Sequence, residues 1–292
     1  MTDRAASSRR LTVCGDIELH FHDTGEQGDR PVLVLLHGGG PGASGWSNYC
    51  RNIGPLSAGR RVLTFDFPQF GESSKVELPE DEVFPSTYVE AVTEAVTALG
   101  IERVDVVGNS LGAGAACLMA HRNPDLVRRM ILMGPGGIQR SVMTPVPMDA
   151  LKRMFTYYNP GPPSRAVMKE ILQSLLHDPD QLTEDVVDER FEASIEPETL
   201  ALFSTQRKQR LTDVTSFMHE LTQPTLVVFG LDDRVTPFDS CLLFAKTLPD
   251  CELLVLPKAG HWVMWELPDR FNRAVVEFLD ADRVPSNDTH PS

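Results

Sequence analysis

The chain has 292 residues, with 27 Lys and Arg against 41 Asp and Glu, and therefore a formal net charge of −14 at pH 7. This balance, with no long basic block, argues against a nucleic-acid partner, since gripping a phosphate backbone relies on clustered Lys and Arg. The composition, 41% hydrophobic and 23% charged, is that of a folded globular protein, and no apolar run approaches the ~20 residues of a membrane helix.

The N-terminus carries early Arg residues without an apolar stretch of signal-peptide length, so the expected location is cytoplasmic, with no membrane partner. Cys14, Cys50, Cys117, Cys241 and Cys251 are odd in number and lack CxxC or Cys/His spacing. They read as reduced, buried thiols rather than disulfides or zinc ligands.

In chain order, a strand is expected over 17–22 after the Gly15-Asp16 turn signal, then strands over 32–36 and 62–65. A helix over 87–99, with Ser86 as candidate N-cap, leads to a strand over 104–107, a helix over 111–121 and a strand over 130–133. The alternation then stops. Residues 139 to 211 have no strand runs but carry Pro145, Pro147, Pro160, Pro162 and Pro163, with helical stretches over 165–176 and 183–194. It resumes with a strand over 225–229, a helix over 239–248 capped by Asp239, a strand over 252–256 and a helix over 268–279.

Nearly all-apolar strands alternating with amphipathic helices predict an α/β fold, a mostly parallel sheet with crossover helices covering both faces. The middle segment reads either as a second domain or as an insertion. Resumption of the β/α pattern favours insertion. The expected organisation is a core of residues 1–138 and 212–281, an inserted helical cap or lid over 139–211, and a flexible tail over 282–292.

The chemistry starts at Gly108-Asn109-Ser110-Leu111-Gly112, where an expected strand meets an expected helix. A Gly-x-Ser-x-Gly match is weak alone, and a Gly-rich βα turn with an inert Ser is the plain reading. The strand-then-helix setting is what a nucleophile elbow requires, with Ser on a strained turn between close-packed backbones. A serine nucleophile needs a base, and the base a carboxylate that holds its tautomer. In the order Ser, acid, His, a loop with Asp232 and Asp233 follows the strand over 225–229, and His261 follows the strand over 252–256.

His37-Gly38-Gly39-Gly40-Pro41-Gly42, directly after the strand over 32–36, could present backbone N–H groups to an oxyanion. The expected donors are the N–H of Leu111 and one from Gly38 to Gly40. Phosphate cradling is the rival reading, but no Gly-Lys-Ser/Thr follows. His20 and His22 share a strand face but have no third ligand at sensible spacing, so no metal is expected.

Together these residues resemble the α/β-hydrolase superfamily, from about Gly15 to Leu279. The run from His37 to Leu56, the GNSLG elbow, LMGPGG at 132–137 and GHWVMWELPDRFNRAVVEFL at 260–279 look more narrowly like the meta-cleavage-product hydrolases. These are carbon–carbon bond hydrolases of aromatic and steroid ring degradation. The resemblance implies Ser110 as nucleophile, Asp233 as orienting acid, His261 as base, and Gly39 and Leu111 as oxyanion donors. It also implies a polar pocket of Asn48, Asn109, Arg190 and Trp262, with Gly38 and Gly40 beside it, for the dienoate end of the substrate. From spacing alone, Arg190 among Asp188, Glu189 and Glu192 reads as a solvated helix residue.

The implied reaction is cofactor-free cleavage of the C5–C6 bond of a 2-hydroxy-6-oxo-hexa-2,4-dienoate by ketonisation and then hydrolysis. The alternative is a serine esterase or lactonase on the same scaffold. The C6 group, whether phenyl, alkyl or steroid-derived, and the choice of acyl-enzyme or gem-diol route stay open, and the resemblance implies a homodimer or higher homo-oligomer. One departure stands out: Gln69 occupies a position where the superfamily usually has Gly, implying an altered turn at the pocket rim. Met154, Phe155, Tyr157, Tyr158 and Phe203 are candidates for the apolar pocket around C6.

Overall fold

In the computed structural model, β1 (Ser7–Val13) and β2 (Ile17–Asp23) form an antiparallel hairpin. Its turn uses positive φ at both Cys14 (50°) and Gly15 (88°). β1 has no apolar run to announce it. Its first four residues, Ser7 to Arg10, are exposed, as suits an edge strand that must not recruit another chain. The structure describes residues 6–26, 28–78, 83–138, 141, 143, 148–205, 210–211 and 213–281. The expected tail and the Pro145 and Pro147 stretch lie outside these.

β3 (Arg30–Leu36) is followed by two short helices, α1 (Gly45–Tyr49) and α2 (Ile53–Leu56), and then by β4 (Arg60–Phe65). A two-residue strand β5 (Val83–Phe84) precedes α3 (Ser86–Ala98). β6 (Val104–Asn109), α4 (Leu111–Arg122) and β7 (Val127–Met133) form the central β-α-β unit. Four helices come next: α5 (Asp149–Phe155), α6 (Arg165–Ser174), α7 (Glu184–Ile195) and α8 (Pro197–Thr205). They stand where helices without strands are expected. β8 (Arg210–Leu211) pairs in parallel with β5, a contact the sequence does not signal. The chain closes with β9 (Thr225–Gly230), α9 (Phe238–Thr247), β10 (Cys251–Leu256), α10 (Val263–Glu266) and α11 (Pro268–Asp280).

The main sheet has eight strands in the order β1-β2-β4-β3-β6-β7-β9-β10. From β4 to β10 every pairing is parallel, and only the β1–β2 and β2–β4 pairings are antiparallel. Successive strand residues face opposite sides, so Val34 and Leu36 join one core with Val106 and Leu132, whereas Leu33 and Leu35 join a second with Val107 and Ile131. Both faces are covered, which explains the unbroken apolar runs.

Two capping expectations are corrected. Ser86 is the first helical residue, preceded by Pro85 at the cap position, and its hydroxyl accepts a hydrogen bond from Arg122 (2.9 Å). Pro237 holds the cap position of α9, and Asp239 lies in the first turn, accepting from Ser141 Oγ (2.7 Å). In both cases a proline holds the cap position, leaving the polar side chain one or two positions inside. Of the thiols, Cys117 and Cys241 are buried, but Cys14 is exposed because it sits in the hairpin turn.

Candidate active site

The parallel strands end along one edge of the sheet, and their following loops carry the candidate residues. Ser110 follows β6 directly and precedes α4, with φ 54° and ψ −111°. A non-glycine residue in that conformation costs roughly 1–3 kcal/mol and persists only where its surroundings impose it. Here they do. The Ser110 amide donates to the Met133 carbonyl (2.9 Å), and its own carbonyl accepts from the amides of Ala113, Gly114 and Gly136 at 3.1, 3.2 and 3.0 Å. A Cβ on Gly108 would press into the Gly112 carbonyl, and one on Gly112 into the Leu36 carbonyl. Both flanking glycines are therefore required by backbone contact.

His261 Nδ1 lies 2.8 Å from Asp233 Oδ2, and both side chains are buried. Asp233 Oδ2 also accepts from Thr236 Oγ1 (2.7 Å), while Oδ1 accepts from the amides of Val235 (2.7 Å) and Thr236 (3.0 Å). Burial alone would raise this carboxyl's pKa, but His261 and the Thr236 hydrogen bonds outweigh it and hold the group below the ordinary carboxylate range. Asp233 is thus an anion, and His261 donates to it through Nδ1, leaving Nε2 as the ring's acceptor nitrogen. The neighbouring Asp232 turns away to His177 Nδ1 (3.0 Å).

The loop after β7 connects this pair to the serine turn. A Cβ on Gly134 would lie 2.8 Å from His261 Nδ1, and one on Gly136 would lie 3.0 Å from the Ser110 carbonyl oxygen.

The loop after β3 lies against the same turn. A Cβ on Gly38 would meet Asn109 Oδ1 at 2.6 Å and Ser110 Cβ at 3.5 Å, and one on Gly39 would meet Leu111 Cδ2 at 3.5 Å. Leu111 opens α4, so its N–H has no partner within the helix. His37, which sequence reasoning treats only as the start of a motif, braces this loop. Its Nδ1 lies 2.7 Å from the Gly38 carbonyl, and its Nε2 accepts from the Phe67 amide (3.0 Å), so the ring is neutral with the proton on Nδ1. Burial pushes its pKa down to about 4, against a raising influence from Asp66.

Asn48 Nδ2 donates to Asn109 Oδ1 (3.0 Å), and Asn109 Nδ2 donates to the Met133 carbonyl (3.3 Å). Arg190 is not a solvated helix residue. It is 2% exposed, and its Nε (3.1 Å) and Nη2 (2.8 Å) both donate to the Pro41 carbonyl. Its guanidinium lies 5.5 Å from the Trp262 ring centroid, and Nη2 is 3.6 Å from where a Gly40 Cβ would be. Nη1 is buried without a hydrogen-bond partner among the described residues. Burial lowers the pKa of Arg190 to about 10, Glu189 opposing, so it remains a cation.

Of the apolar candidates, Tyr158 stacks on Phe203 (5.3 Å), Tyr157 is buried with its hydroxyl 2.8 Å from Ser194 Oγ, and Met154 Sδ lies 3.6 Å from the Gly40 Cβ position. Phe155 is 61% exposed, at the last position of α5, and does not fit a pocket role.

Gln69 also departs from expectation. The turn is not rebuilt around it. Gln69 itself takes the left-handed conformation, at φ 75°. Hydrogen bonds from its amide to the Ser74 carbonyl (2.8 Å), from Nε2 to the Val76 carbonyl (2.8 Å) and from Tyr88 Oη to its Oε1 (2.6 Å) compensate the strain. His20 lies between Ser8 Oγ and Asp66 Oδ2, each 2.8 Å away, and no group of three potential metal ligands occurs among the described residues. Nor, among these, is any helix long and apolar enough to cross a membrane.

The sheet order, the strained serine turn and the buried His–Asp pair define the class of an α/β hydrolase, and the family described as alpha/beta hydrolase fold matches residues 31–268. The chain belongs to that family and, within it, to the meta-cleavage product hydrolases. It is 40% identical over 269 residues to a 2-hydroxy-6-oxo-6-phenylhexa-2,4-dienoate hydrolase of Comamonas testosteroni, covering 90% of this chain and 92% of the relative. It is 39% identical over 287 residues to a 2-hydroxy-6-oxononadienedioate/2-hydroxy-6-oxononatrienedioate hydrolase of the same species, covering 95% and 98%. The meta-cleavage product hydrolase from Pseudomonas fluorescens IP01 superposes with a TM-score of 0.81 at 30% identity, covering 94% of this chain and 98% of that one.

Proposed function

We propose that this chain hydrolyses the C5–C6 bond of a 2-hydroxy-6-oxo-hexa-2,4-dienoate, with Ser110, His261 and Asp233 as catalytic residues and no cofactor. The observation that carries this reading over a simple esterase is Arg190: a fully buried cation whose Nη1 has no partner among the described residues, beside the glycine loop that borders Ser110. Burying a guanidinium without a carboxylate is costly, and a substrate carboxylate supplies the missing partner. An ester substrate needs no such group.

In this reading Arg190 and Trp262 receive the C1 carboxylate, Asn48 and Asn109 the C2 oxygen, and Gly38 and Gly40 leave room for the chain between them. The C2 hydroxyl loses its proton while C5 gains one, with His261 in the relay, giving a ketone whose C5 can leave with the bonding electrons. Attack at the C6 carbonyl, by Ser110 or by water that it orients, places the oxyanion against the N–H groups of Gly39 and Leu111. Breaking C5–C6 then releases a five-carbon dienol acid, and C6 leaves as a carboxylic acid, directly where water has attacked or after a water hydrolyses the ester formed with Ser110. The helices between β7 and β9 act as a cap over residues 139–211, inserted in a core of residues 1–138 and 212–281. A cytoplasmic location and a homodimeric or larger assembly go with this reading.

The test is the loss of the dienolate's yellow absorbance when enzyme is mixed with a 6-phenyl or 6-alkyl dienoate. Rapid turnover of p-nitrophenyl esters with no dienoate cleavage would overturn the reading in favour of an esterase or lactonase.

A further inference from the structure

Glu266, at the end of α10, is buried, and none of the ion pairs among the described residues involves it. Three backbone amides surround its carboxylate instead: Oε2 accepts from Gly260 (2.6 Å), and Oε1 accepts from His177 (2.7 Å) and Asp178 (3.0 Å). A buried carboxylate tied only to backbone N–H groups fixes the segments that supply them. One segment is the loop that carries His261; the other is the turn that follows α6.

The two segments touch at other points. The Trp262 amide donates to the Leu175 carbonyl (3.2 Å), so the residues on both sides of His261 are bound to this turn, one directly and one through Glu266. A Cβ on Gly260 would lie 2.5 Å from the Leu175 oxygen and 2.9 Å from the His177 nitrogen, so the backbones approach as closely as only glycine allows. His177 Nδ1 reaches Asp232 Oδ2 (3.0 Å), one residue before Asp233, and the Asp232 amide donates to the Ala259 carbonyl (2.9 Å). The loops of the base and the acid are thus set against one turn.

We propose that Glu266 is a positioning residue for the reaction: through the Gly260 amide it holds His261 in line, and it makes that alignment depend on the docking of the 175–178 turn. This rests on His261 being the base. Proton transfer is sensitive to sub-ångström placement, whereas binding of the substrate carboxylate at Arg190 is not served by this clamp. Removing the clamp therefore lowers kcat and leaves KM nearly unchanged.

The test compares wild type, Glu266→Gln and Glu266→Asp on a 6-phenyl dienoate, with active serine counted by a serine-directed phosphonate. Asp keeps the charge but loses reach, and Gln keeps the reach but offers only one acceptor oxygen. Per titrated site, Glu266→Asp is expected to lose about 10- to 100-fold in kcat with KM within about threefold, and Glu266→Gln to be intermediate. The downfield proton resonance of the His261–Asp233 hydrogen bond is expected to shift or broaden in both. Unchanged kcat per titrated site with an unchanged resonance in either folded variant would overturn the inference, leaving Glu266 a purely structural anchor. Ser110→Ala and His261→Ala separate the two readings. If they retain turnover, the catalytic assignment itself fails; if they are inactive while the Glu266 variants are fully active, only the clamp fails.

Discussion

The Pro41 carbonyl accepts two hydrogen bonds from the Arg190 guanidinium, and this joins α7 to the glycine loop that borders Ser110. The contact is reinforced where a Cβ on Gly42 would run into the Arg190 carbonyl, so only glycine, here at φ 65°, lets helix and loop meet. The same side chain that holds the loop keeps Nη1 without a partner among the described residues.

Arg190→Ala is therefore expected to lower kcat/KM for a dienoate by about 10- to 100-fold, the worth of a charge-assisted hydrogen bond to a carboxylate. Turnover of a neutral p-nitrophenyl ester should fall much less. Steady-state kinetics on both substrates check this, and an equal loss on both would mean that Arg190 serves loop structure alone. A net charge of −14 repels an anionic substrate at long range, and in the proposed reading Arg190 opposes that field locally.

Ser110→Gly is expected to abolish turnover, by at least ~10³-fold, while raising stability by about 1 kcal/mol through relief of the positive φ. Ser110→Ala should be as inactive without that gain, because alanine keeps the strain. Urea unfolding of the two variants measures the difference. Equal midpoints would show that the turn relaxes around alanine.

His37 gives stability a pH dependence whose sign follows from its depressed pKa. The unfolded ring takes up a proton below about 6.5, but the folded ring does so only near 4. Between these values the unfolded chain binds more protons, so stability is complete above the upper value and falls as pH drops toward the lower one, by about 3 kcal/mol in all. His37→Gln should flatten this part of the profile even if it lowers stability at pH 7. Denaturation midpoints from pH 7.5 to 4.5 in the two proteins test it.

Gln69→Ala should cost about 1–3 kcal/mol, since it keeps φ 75° but loses the bonds to Val76 and Tyr88. Gln69→Gly loses the same bonds but relieves the strain, so it should be closer to wild type. Thermal unfolding distinguishes them, and an alanine variant no less stable than the glycine one would remove strain from the account.

Much of the frame is legible in the residues themselves. The strand run at 32–36 is wholly apolar because both sheet faces are covered, and the Gly-x-Ser-x-Gly spacing is local chemistry that needs no knowledge of the fold. β1 gives no signal in the sequence because an exposed edge strand that opens on Ser and Arg carries no hydrophobic period. The caps of α3 and α9 lie one and two residues before the polar side chains that suggest them, because a proline takes the cap position.

The sequence by itself determined the order of strand, serine, acidic loop and histidine, since each is encoded within a few residues of chain. The family resemblance already implies Asp233, and the structure sets Asp233 rather than Asp232 against His261; only the tertiary structure decided that Glu266 clamps the loop beside it. It also decided that Arg190, among acidic helix neighbours that suggest solvent, is buried against a carbonyl 149 residues away. The reason is physical: periodicity records which face of an element is apolar, but the fate of a charge depends on which distant groups close over it.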